Sequence, residues 1–217
     1  MHPFAEHLPI TRIVASSGPV TLRVPDQVEL AAYATELAAG GLDDDHTRAT
    51  LQWQPATPAL AASQTIGHVS EAFTRGPGPR WLIPLFVFVE GRPIGRQDLG
   101  ATPDDPRLRT AFTASVLLNT HRGLGFGTHA RACVLEVAWA LGVERATTAW
   151  NTDNAASSRV SAKLGYVTNG VEWWWDPRAG REIEICRAYT TEEQFRAAWS
   201  GEVKVVGVDD DVRTWLS

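Results

Sequence analysis

Apolar positions along the chain follow two periods, and each switch between them marks an element. Val20-Thr21-Leu22-Arg23-Val24 alternates, as a half-buried strand does. Pro25-Asp26 then opens a helix with Asp26 as N-cap, Leu30, Ala34, Leu37 and Ala38 on one stripe, and Gly40-Gly41 as its stop. A second helix starts at Thr57-Pro58 and carries Ile66, Val69 and Phe73 before Gly76-Pro77-Gly78-Pro79 ends it. Trp81 to Glu90 and Ile94 to Ala101 form a hairpin about Glu90-Gly91-Arg92-Pro93, with Pro84 marking an edge or a bulge.

A strand over Thr110 to Leu118 runs into a glycine-rich turn and then a helix over Gly127 to Leu141. That helix has apolar positions Ala130, Cys133, Val134, Val137, Ala138 and Leu141, the one-sided pattern of a buried face. Glu144 to Trp150 is short and β-like, and Asn151-Thr152-Asp153-Asn154 caps a helix reaching about Lys163, stopped by Gly165. Tyr166 to Asn169 is a further strand, and Val171 to Trp175 with Glu182 to Tyr189 a last hairpin. Thr191 caps a short helix ending near Trp199, and Val203 to Val208 reads as a final strand. Strands in hairpins together with strands separated by helices predict a mixed sheet with helices packed on it. The expected organisation is one domain over 1–217, with 1–17 an irregular lead-in and 201–217 a tail or last strand.

Composition narrows the partners. The 217 residues are 44% hydrophobic and 21% charged, which suits a globular protein with a real core. Twenty basic against 25 acidic residues leave a net charge of −5, which argues against nucleic acid as the main partner. No apolar run approaches the ~20 residues of a membrane span, and no basic-then-apolar leader opens the chain, so the cytoplasm is the expected location. Cys133 and Cys186 have no metal-ligand spacing and read as small buried hydrophobes; no metal is expected.

The chemistry concentrates in Thr120-His121-Arg122-Gly123-Leu124-Gly125-Phe126-Gly127-Thr128. A glycine-rich turn from strand to helix leaves backbone N–H groups unpaired at the positive helix end, and both attract phosphate. A Walker loop would need a lysine after the last glycine, and a dinucleotide fingerprint would need its third glycine one residue later. What fits is Arg/Gln-x-x-Gly-x-Gly/Ala, which resembles the acyl-CoA-binding motif of the GCN5-related N-acetyltransferase (GNAT) superfamily. Asn151 to Ser157 followed by Lys163-Leu164-Gly165-Tyr166 resembles a second motif of that superfamily, in the branch similar to ribosomal-protein N-acetyltransferases.

The resemblance spans roughly Val20 to Trp199. It implies a mixed, mostly antiparallel sheet of six to seven strands flanked by helices, with splayed central strands. It implies acetyl-CoA as donor, with Arg122, Gly123, Leu124, Gly125, Phe126, Gly127 and Thr128 at the pyrophosphate. The pantetheine arm would pair with backbone at Val116, Leu117 and Leu118 and meet Asn154 and Ser157. Ser161 stands where many members carry an acid tyrosine, so Ser157 is the first candidate to protonate the thiolate and Ser161 the second. For the base, Glu172, Glu71, Glu90 and Asp98 could each reach a pocket, while a water relay or a substrate amine of low pKa would need no dedicated base. The expected reaction is direct acetyl transfer to a primary amine of a small metabolite or a peptide N-terminus, with neither nucleic acid nor membrane as partner; a homodimer stays open. The rival readings are a non-catalytic CoA- or small-ligand-binding module on the same fold and an unrelated phosphate-binding α/β enzyme.

Three further features have a bland and a sharp reading. His68 and Glu71 read as helix surface before pocket border, and Asp43-Asp44-Asp45-His46 as a solvated turn before an anchor for a cation. Trp173-Trp174-Trp175, with Trp53 and Trp81, reads as packing before an aromatic substrate wall.

Overall fold

The structure is a computed structural model, and it describes residues 2–42, 57–75, 80–101, 109–176 and 180–216. Nine strands form one sheet: β1 (Val14–Ser17), β2 (Val20–Arg23), β3 (Leu82–Val89), β4 (Arg92–Ala101), β5 (Thr110–Leu117), β6 (Arg145–Asn151), β7 (Val167–Asp176), β8 (Arg181–Thr190) and β9 (Lys204–Val206). Their order is β7-β8-β6-β5-β4-β3-β2-β1-β9, and every neighbouring pair is antiparallel except β5 with β6. The described helices are α1 (Gln27–Ala38), α2 (Pro58–Arg75), α3 (Phe126–Ala140), α4 (Ala155–Lys163), α5 (Glu192–Ala198) and α6 (Asp210–Leu216).

Helix starts follow local chemistry. Asp26 accepts from the Glu29 amide at 2.9 Å while the Glu29 carboxylate accepts from the Asp26 amide at 2.9 Å, a reciprocal cap on α1. Arg23 grips the same carboxylate and, with the cap bond to Asp26, holds Glu29 below its ordinary value against the opposing effect of burial. Thr191 and Gln194 cap α5 in the same way.

The sheet has a different helix layer on each face. Tyr33 and Leu37 of α1 and Val69 of α2 pack with Phe86, Phe88 and Val116. On the other face Leu85, Val87 and Leu99 pack with the apolar stripe of α3, including Cys133, Val134 and Val137. Alternation along β3 sends Leu85 and Phe86 to opposite layers, so β3 is buried on both faces.

The strand count exceeds the six to seven that the resemblance implies. Val14–Ser17 is a strand inside the expected lead-in, and Lys204–Val206 closes the sheet beyond it. Val14–Ser17 is too short for alternation to announce and exists because β2 and β9 flank it, whereas Lys204–Val206 falls within the strand expected over Val203 to Val208. The region 201–217 also holds a helix, α6, whose Val212 is buried. Tyr166 to Asn169 and Val171 to Trp175 join into β7, with an irregularity between Thr168 and Gly170. Pro84 lies beyond the reach of β2, which pairs β3 only from Phe86 to Val89, so its missing N–H faces no ladder there. On α2 the buried stripe is Ala61, Ala62, Thr65, Val69 and Ala72, and Ile66 is exposed, because the helix presents its small residues to α1 and the sheet. The expected stop at 76–79 lies outside the described residues.

Candidate active site

The parallel ladder between β5 and β6 lasts for three residue pairs, ending at Phe112 with Thr147, although both strands continue. Beyond that point the strands splay. The β6-facing backbone of β5 is left for a guest to pair with, which is how an extended ligand adds to an open strand edge.

At the end of β5 the chain makes a short 3-10 turn, Asn119–His121, and enters the glycine-rich turn. Gly123 and Gly125 have φ of +76° and +86°, the left-handed region that disfavours a side chain. A Cβ at either would meet nothing within 4 Å, so backbone conformation, not packing, requires glycine there. Gly125 is the N-cap of α3 and offers no side chain to the helix start. Among the described residues the amides of Gly125, Phe126 and Gly127 donate no hydrogen bond, whereas Thr128 N–H donates to Gly125 O at 3.0 Å. Three open amides at the positive end of a 15-residue helix form an anion site. Arg122 reaches back to donate from Nε to Leu117 O at 3.0 Å, tying the turn to β5.

A cavity of about 370 Å³ extends from this turn along the α3 and α4 side of β5. Arg122, Gly123, Gly125, Gly127 and Thr128 line one end, Val116 and Leu117 the wall, and Asn154 and Ser157 the opposite lip. These residues were singled out from the sequence, and the fold brings them together. Asn154 is also the N-cap of α4, accepting from the Ser157 amide at 3.0 Å. Leu118, Leu124 and Phe126 do not line it: Leu118 is buried under α1, Leu124 points to solvent, and Phe126 packs against the α3 core.

A second cavity, of about 320 Å³, opens on the α1 and α2 side of the same strands. Asp98 of β4 is 3% exposed at its floor, opposite Ala114 of β5. Arg96 Nε lies 3.1 Å from Asp98 Oδ2, and His68 Nε2 lies 3.1 Å from Asp98 Oδ1. A carboxylate held by a guanidinium accepts only, so His68 donates from Nε2. Tyr33 completes the wall; its hydroxyl is buried without a hydrogen-bond partner among the described residues, and burial pushes its pKa well above the ordinary phenol value. Val116 lines both cavities and lies on β5 beyond the point where β5 and β6 part.

Not every expected residue reaches these cavities. Ser161 is 1% exposed and accepts from Arg131 at 2.9 Å, behind the cavity wall. Glu172 sits on the edge strand β7 and pairs with Arg187 at 3.2 Å, with β8 and β6 between it and β5. Glu71 is exposed and paired with Arg75, and Glu90 forms the β3–β4 turn with φ +51°. Of the carboxylates considered, Asp98 alone lines a cavity among the described residues. His68, expected at the surface, lines the same cavity. Trp173, Trp174 and Trp175 are all exposed on β7 and face neither cavity; Trp81 packs on the core. Trp53 and Asp43 to His46 lie outside the described residues.

Sequence reading missed Arg131 and Ser115. Arg131 falls between Ala130 and Ala132 on a helix whose inner stripe it joins, and a charge on an apolar stripe was the available signal. Arg96 and Asp98 carried another: opposite charges two apart on a strand share a face.

Comparison with known proteins accords with this geometry. Residues 20–167 match the family model for the acetyltransferase (GNAT) domain. Among solved structures, Mycobacterium smegmatis RimJ in complex with CoA-disulfide is similar at 19% identity and a TM-score of 0.72, covering 93% of this chain and 99% of that one. Ribosomal-protein-S5-alanine acetyltransferase from Vibrio fischeri is similar at 14% identity and a TM-score of 0.64, covering 84% and 98%. The microcin C7 self-immunity acetyltransferase MccE, solved with acetyl-CoA and AMP, is similar at 16% identity and a TM-score of 0.63, covering 80% and 92%. With the motif, the splay and the family model in agreement, the chain belongs to the GNAT family as an acetyl-CoA-dependent N-acetyltransferase.

Proposed function

We propose that this acetyltransferase moves the acetyl group directly to a primary amine of a small metabolite or to a peptide N-terminus held in the Tyr33–His68–Asp98 cavity. The observation that carries this reading is that Val116 lines two cavities, one beside the anion-binding turn and one beside the His68–Asp98 pair. CoA lies on the α3 and α4 side, with its pyrophosphate on the amides of Gly125, Phe126 and Gly127. Its pantetheine arm pairs with β5 and carries the thioester through the splay. The acceptor enters from the α1 and α2 side, where about 320 Å³ admits an amine and a compact group but not a folded chain.

The amine must be neutral to attack. His68 Nδ1 takes its proton, and Asp98 orients the ring and supports the imidazolium that forms. Backbone N–H groups of β5 beyond Phe112 are placed to hold the carbonyl oxygen as it gains charge. No covalent intermediate on the protein is needed, because donor and acceptor meet in one passage. Ser157 lines the CoA cavity and fits the role that the resemblance assigns it at the departing sulfur.

The test is thiol release from acetyl-CoA against a panel of primary amines and of peptides with free or blocked N-termini. The expected result is release with at least one class of free amine and none with its acetylated form. CoA binding without release for any amine would leave a ligand-binding module instead. Displacement of CoA by ATP or NAD would point to another phosphate-binding enzyme.

A further inference from the structure

Arg131 is 5% exposed on the inner stripe of α3, and among the described residues it contacts no carboxylate. Its Nη1 donates to Ser161 Oγ at 2.9 Å and its Nη2 to Ser115 Oγ at 2.6 Å. Its Nε is buried without any partner. A guanidinium stays charged in proteins, and hydroxyls offset the loss of water around it only in part. Burial accordingly lowers its pKa from the ordinary arginine value. A cation kept under these conditions is matched to an anion that is absent from the resting protein.

The position identifies the anion. Arg131 and Ser115 line the CoA cavity next to Val116, the residue shared with the acceptor cavity. That passage is where the thioester must stand for an amine on the other side to reach it. The pyrophosphate site lies at the start of α3, about a turn and a half from Arg131, and is served by open amides of its own.

Building on the acetyl-transfer reading above, the geometry points to Arg131 and Ser115 as the pair that stabilises CoA as a thiolate when it leaves. Ser115 Oγ accepts from the guanidinium, so its own O–H is directed to the sulfur. The amine nitrogen bonds to the acetyl carbon, the carbon–sulfur bond breaks, and its electron pair stays on sulfur. The proton lost by the amine goes to His68, and CoA leaves the acetyl carbon as the thiolate, which takes up a proton only afterwards, from solvent by way of Ser157. Arg131 acts through Ser115 and is a positioning residue. Ser161, at the place of the family's acid tyrosine, donates nothing in this scheme and anchors the other arm of the guanidinium.

The other charged groups lining this cavity are Arg122, Arg159 and Lys163, all cationic, and Tyr166 lies against Arg131 with its pKa raised by burial. Across the passage stand Asp98, His68, Arg96 and Tyr33. The test therefore compares CoA with desulfo-CoA, so that contributions common to both cancel. Calorimetric affinities are taken at pH values below and above the ordinary thiol range. A thiol whose pKa is lowered on binding makes CoA gain affinity as pH rises, while desulfo-CoA gains none from this source. The expected result is a CoA/desulfo-CoA affinity ratio that rises about tenfold with pH, one pKa unit of thiolate preference. Arg131→Met and Ser115→Ala flatten the ratio, Arg131→Lys keeps part of the slope, and Lys163→Gln shifts both ligands together. Thermal melts confirm that the variants fold. A flat ratio in the unmodified protein overturns the proposal, and so does a slope lost in Ser157→Ala but kept in Arg131→Met. Because no acceptor is present, this outcome is independent of whether any amine is acetylated.

Discussion

At the scale of single residues, the acceptor side turns on the pairing of His68 with Asp98. The two come from different elements, α2 and β4, and Arg96 holds the far oxygen of the carboxylate. Glutamine in place of His68 still offers a donor to Asp98 but has no basic nitrogen to take a proton. His68→Gln is therefore expected to lower kcat about 100-fold or more, the usual scale for a general base, with little change in CoA affinity. In His68→Ala, added imidazole should restore part of the rate by entering the space that the side chain leaves. Loss of CoA binding in step with kcat would mean that His68 is structural. Arg96 and Asp98 were visible in the sequence as charges two apart on a strand, and Asp98 was one of four carboxylates considered. Which of the four faces a cavity depends on register: Asp98 stands opposite Ala114, a small residue that leaves it room, and no local pattern encodes that pairing.

At the scale of elements, the strand–turn–helix over β5 and α3 joins binding to catalysis. Its three glycines are not equivalent. Gly125 needs a left-handed backbone, whereas Gly127 is helical and a Cβ there would touch Leu117 at 3.6 Å, an ordinary contact. Gly125→Glu is expected to abolish measurable CoA binding through strain and a negative charge beside the phosphate. Gly127→Ala should fold normally and weaken CoA only where its methyl meets the ligand. Equal, small effects of both changes on calorimetric CoA affinity would contradict the role given to this turn. This element was the most legible part of the chain, because turn chemistry, helix capping and the apolar stripe of α3 are local signals. Glu172 stands away from both cavities for a non-local reason: β7 follows α4 closely in sequence, but the topology places it at the sheet edge, with two strands between it and β5.

At the scale of the whole molecule, the sheet is a partition between two helix layers, and β5 and β6 splay beyond Phe112. Cys133 lies on the α3 side of the core, and burial with the nearby Glu136 charge pushes its thiol up to about 12. Alkylation of Cys133 should accordingly follow global unfolding, with the modification rate rising with denaturant in parallel with loss of tryptophan signal. Fast labelling of the native protein would show that this layer opens separately. The mixed sheet was foreseeable from hairpins alternating with helices, and β9 falls within the strand expected over Val203 to Val208, whereas β1 was not foreseeable, since a strand of four residues exists through its neighbours. The exposed tryptophans of β7 also show where composition misleads: aromatic residues at a strand edge marked neither core nor either cavity.

The central claim is that acetyl-CoA crosses this partition. A crystal structure of the protein with acetyl-CoA tests it most directly. The expected complex has pyrophosphate on the amides of Gly125, Phe126 and Gly127, the sulfur beside Ser115, and the acetyl carbon facing His68 through the splay. Acetyl-CoA bound wholly on the α3 side, with its acetyl group turned away from the Asp98 cavity, would contradict it.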